Sequence, residues 1–579
     1  MFKKNTKHQQ PALISATSEL PEKQRKRLEK SWAGTFYQEF FSRIEEEAFS
    51  VLYSEKASRP NVPVNVLVGL EALKAGMGWS DEELYENYCY NLQVRYALGY
   101  DRLGDGDFEI RTLYYFRERL SQYNAEKGVN LLEKAFEQIT DAQIVSLKVR
   151  TGMQRMDSTQ IASNIVSASR LQLLVEGLQR VERILSDTDK ARLAETLAPY
   201  IQDSAGHYTY RVKGKEAVQE HLQRIGQAIH TLLQELKTVY ASEKPYQVLE
   251  RLLADNFHLV ESNACPKENT EITCGCLQSV DDLEATYRTK GTGHYKGYVV
   301  NITETCDPKN ELQLITKVQV APNNVDDTQL LADALPSLKE RTAVKTMITD
   351  GGYGGEASDA VLQDQGVNLV QTAIRGLQPN PEKFHLSDFD LGSDEQGNPA
   401  SLTCPHGQTA PVTPTRKGAW QARFDPVICA VCPFQQDGRC PTKPQKRDPR
   451  YLLPFTTQEV LTAKRRREYL AHKGDGHNLR SAVEATVRSV KHPFPAGKMP
   501  VRGQFRVTCM AIASAATTNV RRIQRYLEAK KEAEKQQNTA QSRQNSAPES
   551  IAVSPLGAVQ AFLMHLLKPL PQRGAVLGC

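Results

Sequence analysis

Residues 154–165 read QRMDSTQIASNI. The run is rich in strand-forming residues and contains neither Gly nor Pro, so it predicts a strand that delivers Asp157. Further strand patterns follow much later in the chain: HYKGYVVNITET, LQLITKVQVAP, AVKTMITDGGYGG and VNLVQTAI, with a helix expected over ASDAVLQDQG between the last two. The long interval from about 166 to 262 is polar and helical in period, and reads as an insertion. Working outward from Asp157, the fold class is therefore α/β, a mixed-sheet core with long excursions.

Upstream, residues 1–25 are polar and expected to be mobile. Residues 26–125 are helical in pattern. Within them GMGWSDEEL sets a glycine break before a Ser with Glu three positions on, a capping-box start to a second helix, and two helices joined so closely suit a helix-turn-helix-like DNA-binding domain, an ordinary helical bundle being the alternative. At 579 residues the chain has ample material for several domain-sized units, and its net charge of +5 is uninformative alone. The distribution says more, since Lys443 to Lys530 holds 19 Lys and Arg against 6 Asp and Glu, the footprint of a polyanion-binding surface. A solvated basic face would look the same. The KRRR run at 464–467 is expected to contact phosphates without reading bases. No apolar run reaches signal-peptide or membrane-span length, which predicts a cytoplasmic protein with no membrane partner.

Two acidic residues, Asp157 in MDST and Asp350 in TDGGY, are expected at strand ends, displayed at a sheet edge. Either alone is weak, because Asp before Gly-Gly is commonly a turn residue and Asp before Ser-Thr a helix cap. A third carboxylate sits in HNLRSAVEATVRSVKHPFP, residues 477–495. Helical spacing gathers His477, Arg480, Glu484, Arg488 and Lys491 on one face, and the following His-Pro would end the helix. Arg480 and Glu484 alone would be an ordinary surface ion pair. Two aspartates on strands and a glutamate on a helix, however, supply the hard oxygen donors that phosphodiester chemistry requires around Mg²⁺.

The order MDST, TDGGY, then H-x2-R-x3-E-x6-K resembles the DDE transposases of bacterial insertion sequences, one large branch of which bears Y-x2-R-x3-E-x6-K on the glutamate helix. His477 stands where that branch has Tyr. The resemblance covers most of residues 30–525. It implies a ribonuclease-H-like catalytic domain over 143–525, with a helical insertion at 166–262 and a Cys-rich one at 400–445, and a polar tail at 530–579. It further implies that Asp157, Asp350 and Glu484 are catalytic ligands of two Mg²⁺ (or Mn²⁺) ions, and that the cationic face of His477, Arg480, Arg488 and Lys491 holds DNA. The partners implied are double-stranded DNA, as transposon ends and as target, and a second copy of the chain in a homodimeric synaptic complex in a bacterial nucleoid. The activity implied is cleavage at the terminal inverted repeats followed by strand transfer. The rivals are a ribonuclease-H-like nuclease without strand transfer and a non-catalytic DNA-binding protein derived from a transposase.

Eleven cysteines, several closely spaced, point to thiols or metal ligands rather than a disulfide framework. Cys404 in TCPHGQ, with Cys429, Cys432 and Cys440 in CAVCPFQQDGRC, has the spacing of a tetrahedral structural Zn²⁺ site. His406 is an alternative fourth ligand, and free thiols in a loop are the alternative to any metal. Cys274, Cys276 and Cys306 receive no assignment.

Overall fold

A computed structural model describes residues 1–545 except 10–16, 18, 57–58, 101, 103, 262, 374–379, 397, 417, 445–448 and 473–480. His477 and Arg480 fall outside the described residues, as does the part of the expected polar tail beyond residue 545. The chain divides into two compact units, Met1–Ile523 and Gln524–Cys579.

The central sheet of the first unit contains β1 (Met153–Ile161), β2 (Thr286–Lys290), β3 (Gly293–Thr305), β4 (Ile315–Pro322), β5 (Thr346–Thr349) and β6 (Asn368–Gln371). Its order is β4-β3-β1-β5-β6, with β2 hairpinned onto the start of β3. The pairs β4·β3 and β3·β1 are antiparallel, whereas β1·β5 and β5·β6 are parallel. This is the mixed order of a ribonuclease-H-like core.

One expectation is corrected here. Asp157 stands in the middle of β1, is 7% exposed and lies opposite Ile302, so it is not at a strand end. The reason is that no Gly or Pro interrupts MQRMDSTQI, and pairing with β3 runs on to Ile161. Asp350, by contrast, follows directly on β5 and caps the turn Gly351–Tyr353.

The helices that precede the sheet include α1 (Val64–Met77), α2 (Asp81–Tyr90), α3 (Arg111–Lys127) and α4 (Leu131–Ser146). α1 is apolar nearly all round and almost wholly buried, as such a helix must be. It ends at Gly78 in the left-handed region (φ 74°), and Ser80 then starts α2 with a capping box to Glu83. Within the segment expected to be mobile, residues 1–9 make contacts with residues further along the chain. Phe2 packs on Tyr53, His8 on Phe41, and the Asn5 N–H donates to Glu46 at 2.9 Å.

Between β1 and β2 lie α5 (Arg170–Glu182), α6 (Lys215–Tyr240) and α7 (Lys244–Asn256) with shorter helices. Their apolar faces form a separate cluster that includes Leu174, Ile225 and Leu249. After β4 come α8 (Asp327–Thr342), α9 (Thr457–His472), α10 (Ser481–Lys491) and α11 (Gln504–Asn545). One face of the sheet packs on α8 through Met156, Leu335 and Met347. The opposite face, with Val300, Ile302 and Val318, joins a large cluster shared with α1, α3, α10 and α11.

The Cys-bearing segment is a second sheet of six antiparallel strands spanning Asp390–Phe455, which no sequence pattern had been read to contain. Its core is small, built from Phe389, Leu402, Ala422, Phe424, Leu453 and Phe455. Within the second unit, the described part is the helical continuation from Gln524 to Asn545, charged and glutamine-rich in sequence.

Candidate functional site

The site forms where β1 and β5 run side by side. Successive strand residues point to opposite faces. Arg155, Asp157 and Thr159 therefore face the α10 side of the sheet, while Ser158 faces α8. Ser158 Oγ donates to Asp327 Oδ1 at 2.7 Å. Asp327 is the first residue of α8, and Asp326 caps that helix by accepting from the Thr328 N–H at 3.1 Å. Asp350 Oδ1 accepts the Gly352 N–H at 2.8 Å, and its carbonyl accepts from Gln371 Nε2 of β6 at 3.0 Å.

Gly352 lets these carboxylates converge. A methyl built there would meet Asp327 Oδ2 at 2.9 Å and Asp350 Oδ1 at 3.0 Å, so the two oxygens lie no further apart than the sum of those distances. Behind them Tyr353 is fully buried, its hydroxyl donating to Asn301 Oδ1 at 2.7 Å, and Asn301 pairs with Ser158 in the sheet. Burial first, then the nearby charges of Asp327, Asp157 and Asp350, holds the Tyr353 hydroxyl well above the usual phenol range. Burial likewise pushes the Asp327 carboxyl up, with Asp350 and Asp326 adding to the rise and the Ser158 hydrogen bond and Arg288 opposing it.

Asp327 and Asp350 thus lie side by side, while Asp157, one residue before Ser158, projects from the other face of β1. Asp327 escaped the sequence reading. Its only local signal is the acidic pair in NNVDDTQ at a helix start, which reads as an N-cap; its contact with Ser158 is purely tertiary.

Glu484 is exposed on the first turn of α10. Two side chains dock this helix onto the sheet. Thr486 is buried and donates to Glu304 of β3 at 2.7 Å, while Lys491 Nζ donates to Gln160 O at 2.8 Å and Thr159 Oγ1 at 3.3 Å. Half-burial lowers the Lys491 ammonium below the ordinary lysine range. Arg488 is exposed on the same helix. In the KRRR run, Arg465 is ion-paired with Asp359, and Arg467 donates to Phe389 O at 2.6 Å and approaches Asp390, leaving Lys464 exposed.

Cys404, Cys429, Cys432 and Cys440 line one small cavity together with His406 and Thr442. The Cys429 thiol is pushed up to about 11 by burial and by the other three cysteines beside it. Cys429 Sγ donates to Gln408 Oε1 at 3.4 Å, and Cys440 Sγ and Thr442 Oγ1 share a hydrogen bond at 3.2 Å. Among the described residues no group of three or more His, Cys, Asp and Glu side chains is arranged to hold a metal ion. The oxygen donors at the sheet are nonetheless of the type Mg²⁺ takes, and the four thiols of the type Zn²⁺ takes.

The sheet order defines the fold class, a mixed α/β, ribonuclease-H-like core. Residues 403–524 match the family described as "Transposase DDE domain", and residues 25–119 match "Transposase domain (DUF772)". Together the two matches indicate an insertion-sequence DDE transposase. The first match takes in the last four strands of the Cys-bearing sheet, α9, α10 with Glu484, and α11 as far as Gln524, and it begins well after Asp157 and Asp350. No curated protein and no solved structure matches the chain. Among the described residues no helix is long and apolar enough to cross a membrane.

Proposed function

We propose that the chain binds the terminal inverted repeats of its insertion sequence and catalyses divalent-metal-dependent cleavage and strand transfer there. The observation that carries this reading is the close approach of Asp327 and Asp350 beside the parallel strands β1 and β5, on a sheet whose other face presents Asp157 toward the Glu484 helix. Asp157, Asp350 and Glu484 are the ligands of two Mg²⁺ or Mn²⁺ ions, and Asp327 adds oxygen donors beside them. Bound divalent ions supply charge neutralisation at the phosphate and activation of the attacking oxygen.

The chain's own residues hold and align the DNA. Arg488, exposed one turn beyond Glu484, meets backbone phosphate, as do His477 and Arg480. Lys491 reaches DNA with the hydrogen-bonding capacity left by its anchors on β1, since an ammonium has three donors. Residues 26–125 recognise the end sequence. The reaction joins two ends, and a homodimer is the assembly that presents them. The four cysteines hold a structural Zn²⁺ that cross-links the small second sheet, where few apolar residues are available to do so.

The test is cleavage and joining of a DNA fragment carrying the element's ends, with Mg²⁺ or EDTA, for wild type and Asp157→Ala, Asp350→Ala, Glu484→Ala and Asp327→Asn. Joined products with wild type and Mg²⁺ only, together with an Asp327→Asn rate lowered by about 100-fold, are expected. Equal end binding by all five proteins with no cutting by any would overturn the catalytic reading.

A further inference from the structure

The face of β1 that carries Asp157 also carries Arg155, two residues before it. Arg155 lies opposite Glu304 of β3, and its Nε donates to Glu304 Oε1 at 2.6 Å. Glu304 is 0% exposed, yet it is no ordinary ion-pair partner, because its second oxygen is fully used as well. Oε2 accepts from Thr486 Oγ1 of α10 at 2.7 Å and from Arg522 Nη1 of α11 at 2.7 Å. Arg522 Nη2 closes the set by donating to Thr486 Oγ1, and its Nη1 also reaches Gln313 O at 3.2 Å. One buried carboxylate thus joins the Asp157 strand, the Glu484 helix and the last helix of the core.

The spacing gives this set its meaning. Arg155 is two residues from Asp157, and Thr486 is two residues from Glu484. Further along the same face, Lys491 grips Thr159 and Gln160. α10 is therefore fastened to β1 on both sides of Asp157 along the strand. No apolar packing fixes a helix's rotation and slide as sharply as directional hydrogen bonds to a charged group, which weaken steeply with misalignment.

We infer that Glu304 is a positioning residue: through Thr486 and Arg155 it sets the placement of the Glu484 helix over the Asp157 strand. Its importance for catalysis rests on the reading of Asp157 and Glu484 as ligands proposed above, whereas the clamp itself does not. The carboxylate must be ionised and doubly accepting for this role, and a glutamine would turn an N–H2 group toward a donor that now meets an oxygen.

The experiment compares wild type with Glu304→Gln, Thr486→Val and Thr486→Ser by two readouts. The first is native-state hydrogen exchange of the Val487–Lys491 amides. The second is single-turnover nicking of the element's end at saturating DNA. Thr486→Val keeps the side-chain shape and loses the hydroxyl; Thr486→Ser keeps the hydroxyl and loses a methyl. The clamp predicts that Val speeds exchange in α10 at least about tenfold and slows nicking by at least as much, with DNA affinity unchanged, and that Ser stays near wild type. Glu304→Gln should follow Val; if it does not fold, the Val and Ser pair still decides. A merely packed threonine predicts the opposite order, with Ser worse than Val, and that order in the exchange data overturns the inference. Should wild type fail to nick its own ends, the proposed activity falls, while the exchange order continues to decide whether Glu304 clamps the helix.

Discussion

Gly78 joins the turn between α1 and α2 to the catalytic side of the molecule, and replacing it with Ala should do more damage than its backbone alone predicts. Its φ of 74° is left-handed, a conformation that penalises an L side chain by about 1–2 kcal/mol. A methyl there would also sit 2.0 Å from the carbonyl oxygen of Pro493, two residues past Lys491 at the end of α10. Backbone must then move by about 1 Å or more to reach ordinary contact, and overpacking of that kind costs about 1–3 kcal/mol. Gly128 provides the control, since it caps α3 at φ 66° with nothing within 4 Å of the added methyl. Gly128→Ala should destabilise by about 1 kcal/mol and Gly78→Ala by about 2–5 kcal/mol. In a unit of this size each kcal/mol moves the melting temperature by roughly 2 °C or less, so the two variants belong side by side in one melting experiment. Gly78→Ala should in addition slow end nicking, because the strain is relieved at the foot of the Glu484 helix, and Gly128→Ala should not. Equal melting shifts with equal nicking rates would refute the reasoning.

Within the KRRR run, Arg465→Ala leaves Asp359 buried without its ion-pair partner and should lower stability by about 3–5 kcal/mol in chemical denaturation. Lys464→Ala should leave stability alone and reduce the salt slope of DNA binding by about 1; a reversed pattern would mean Arg465 is the phosphate contact. Burial raises the Glu46 carboxyl above its ordinary value of 4.5 despite three backbone N–H donors, so the folded chain holds that proton more tightly than the unfolded one. Its contribution favours folding below that value and is lost as pH rises from 4.5 through the raised one; wild type should gain on Glu46→Gln on acidification from neutral pH, and a flat difference in melting temperature would contradict this. Native mass spectrometry should find one Zn²⁺ per chain, lost in Cys432→Ala with a lower melting temperature. Metal-free protein of unchanged stability would leave the four cysteines as plain thiols.

Much of the architecture was legible because its signals are local. Alternating apolar residues mark β3 and β4, and the Gly78 break with the Ser80–Glu83 box marks the helix pair. The helical period of 166–262 marked the helices between β1 and β2, which build a cluster of their own. The second sheet was not legible, because strands such as TAPVTP and WQARF are short, and Pro and Thr dilute their alternation. At the site, Asp157 and Asp350 stood out by their neighbours in sequence. Asp327, Glu304 and the anchoring of Lys491 did not, since each acquires its partners only when strands and helices far apart in the chain are packed together.

The cluster that α1 and α3 share with the sheet, α10 and α11 has a consequence for how a cut site is measured. Thr517 of α11 donates to Ala72 O of α1 at 2.8 Å, and a methyl on Gly76 would collide with that same threonine. The helix pair is packed into one core with the sheet and α10 rather than tethered to them. On the function proposed above, the protein is a rigid caliper, in which the span from the bases recognised to the phosphate attacked is built into the fold. Sliding the recognised sequence along the DNA by a few base pairs should carry the cleavage position with it by the same number.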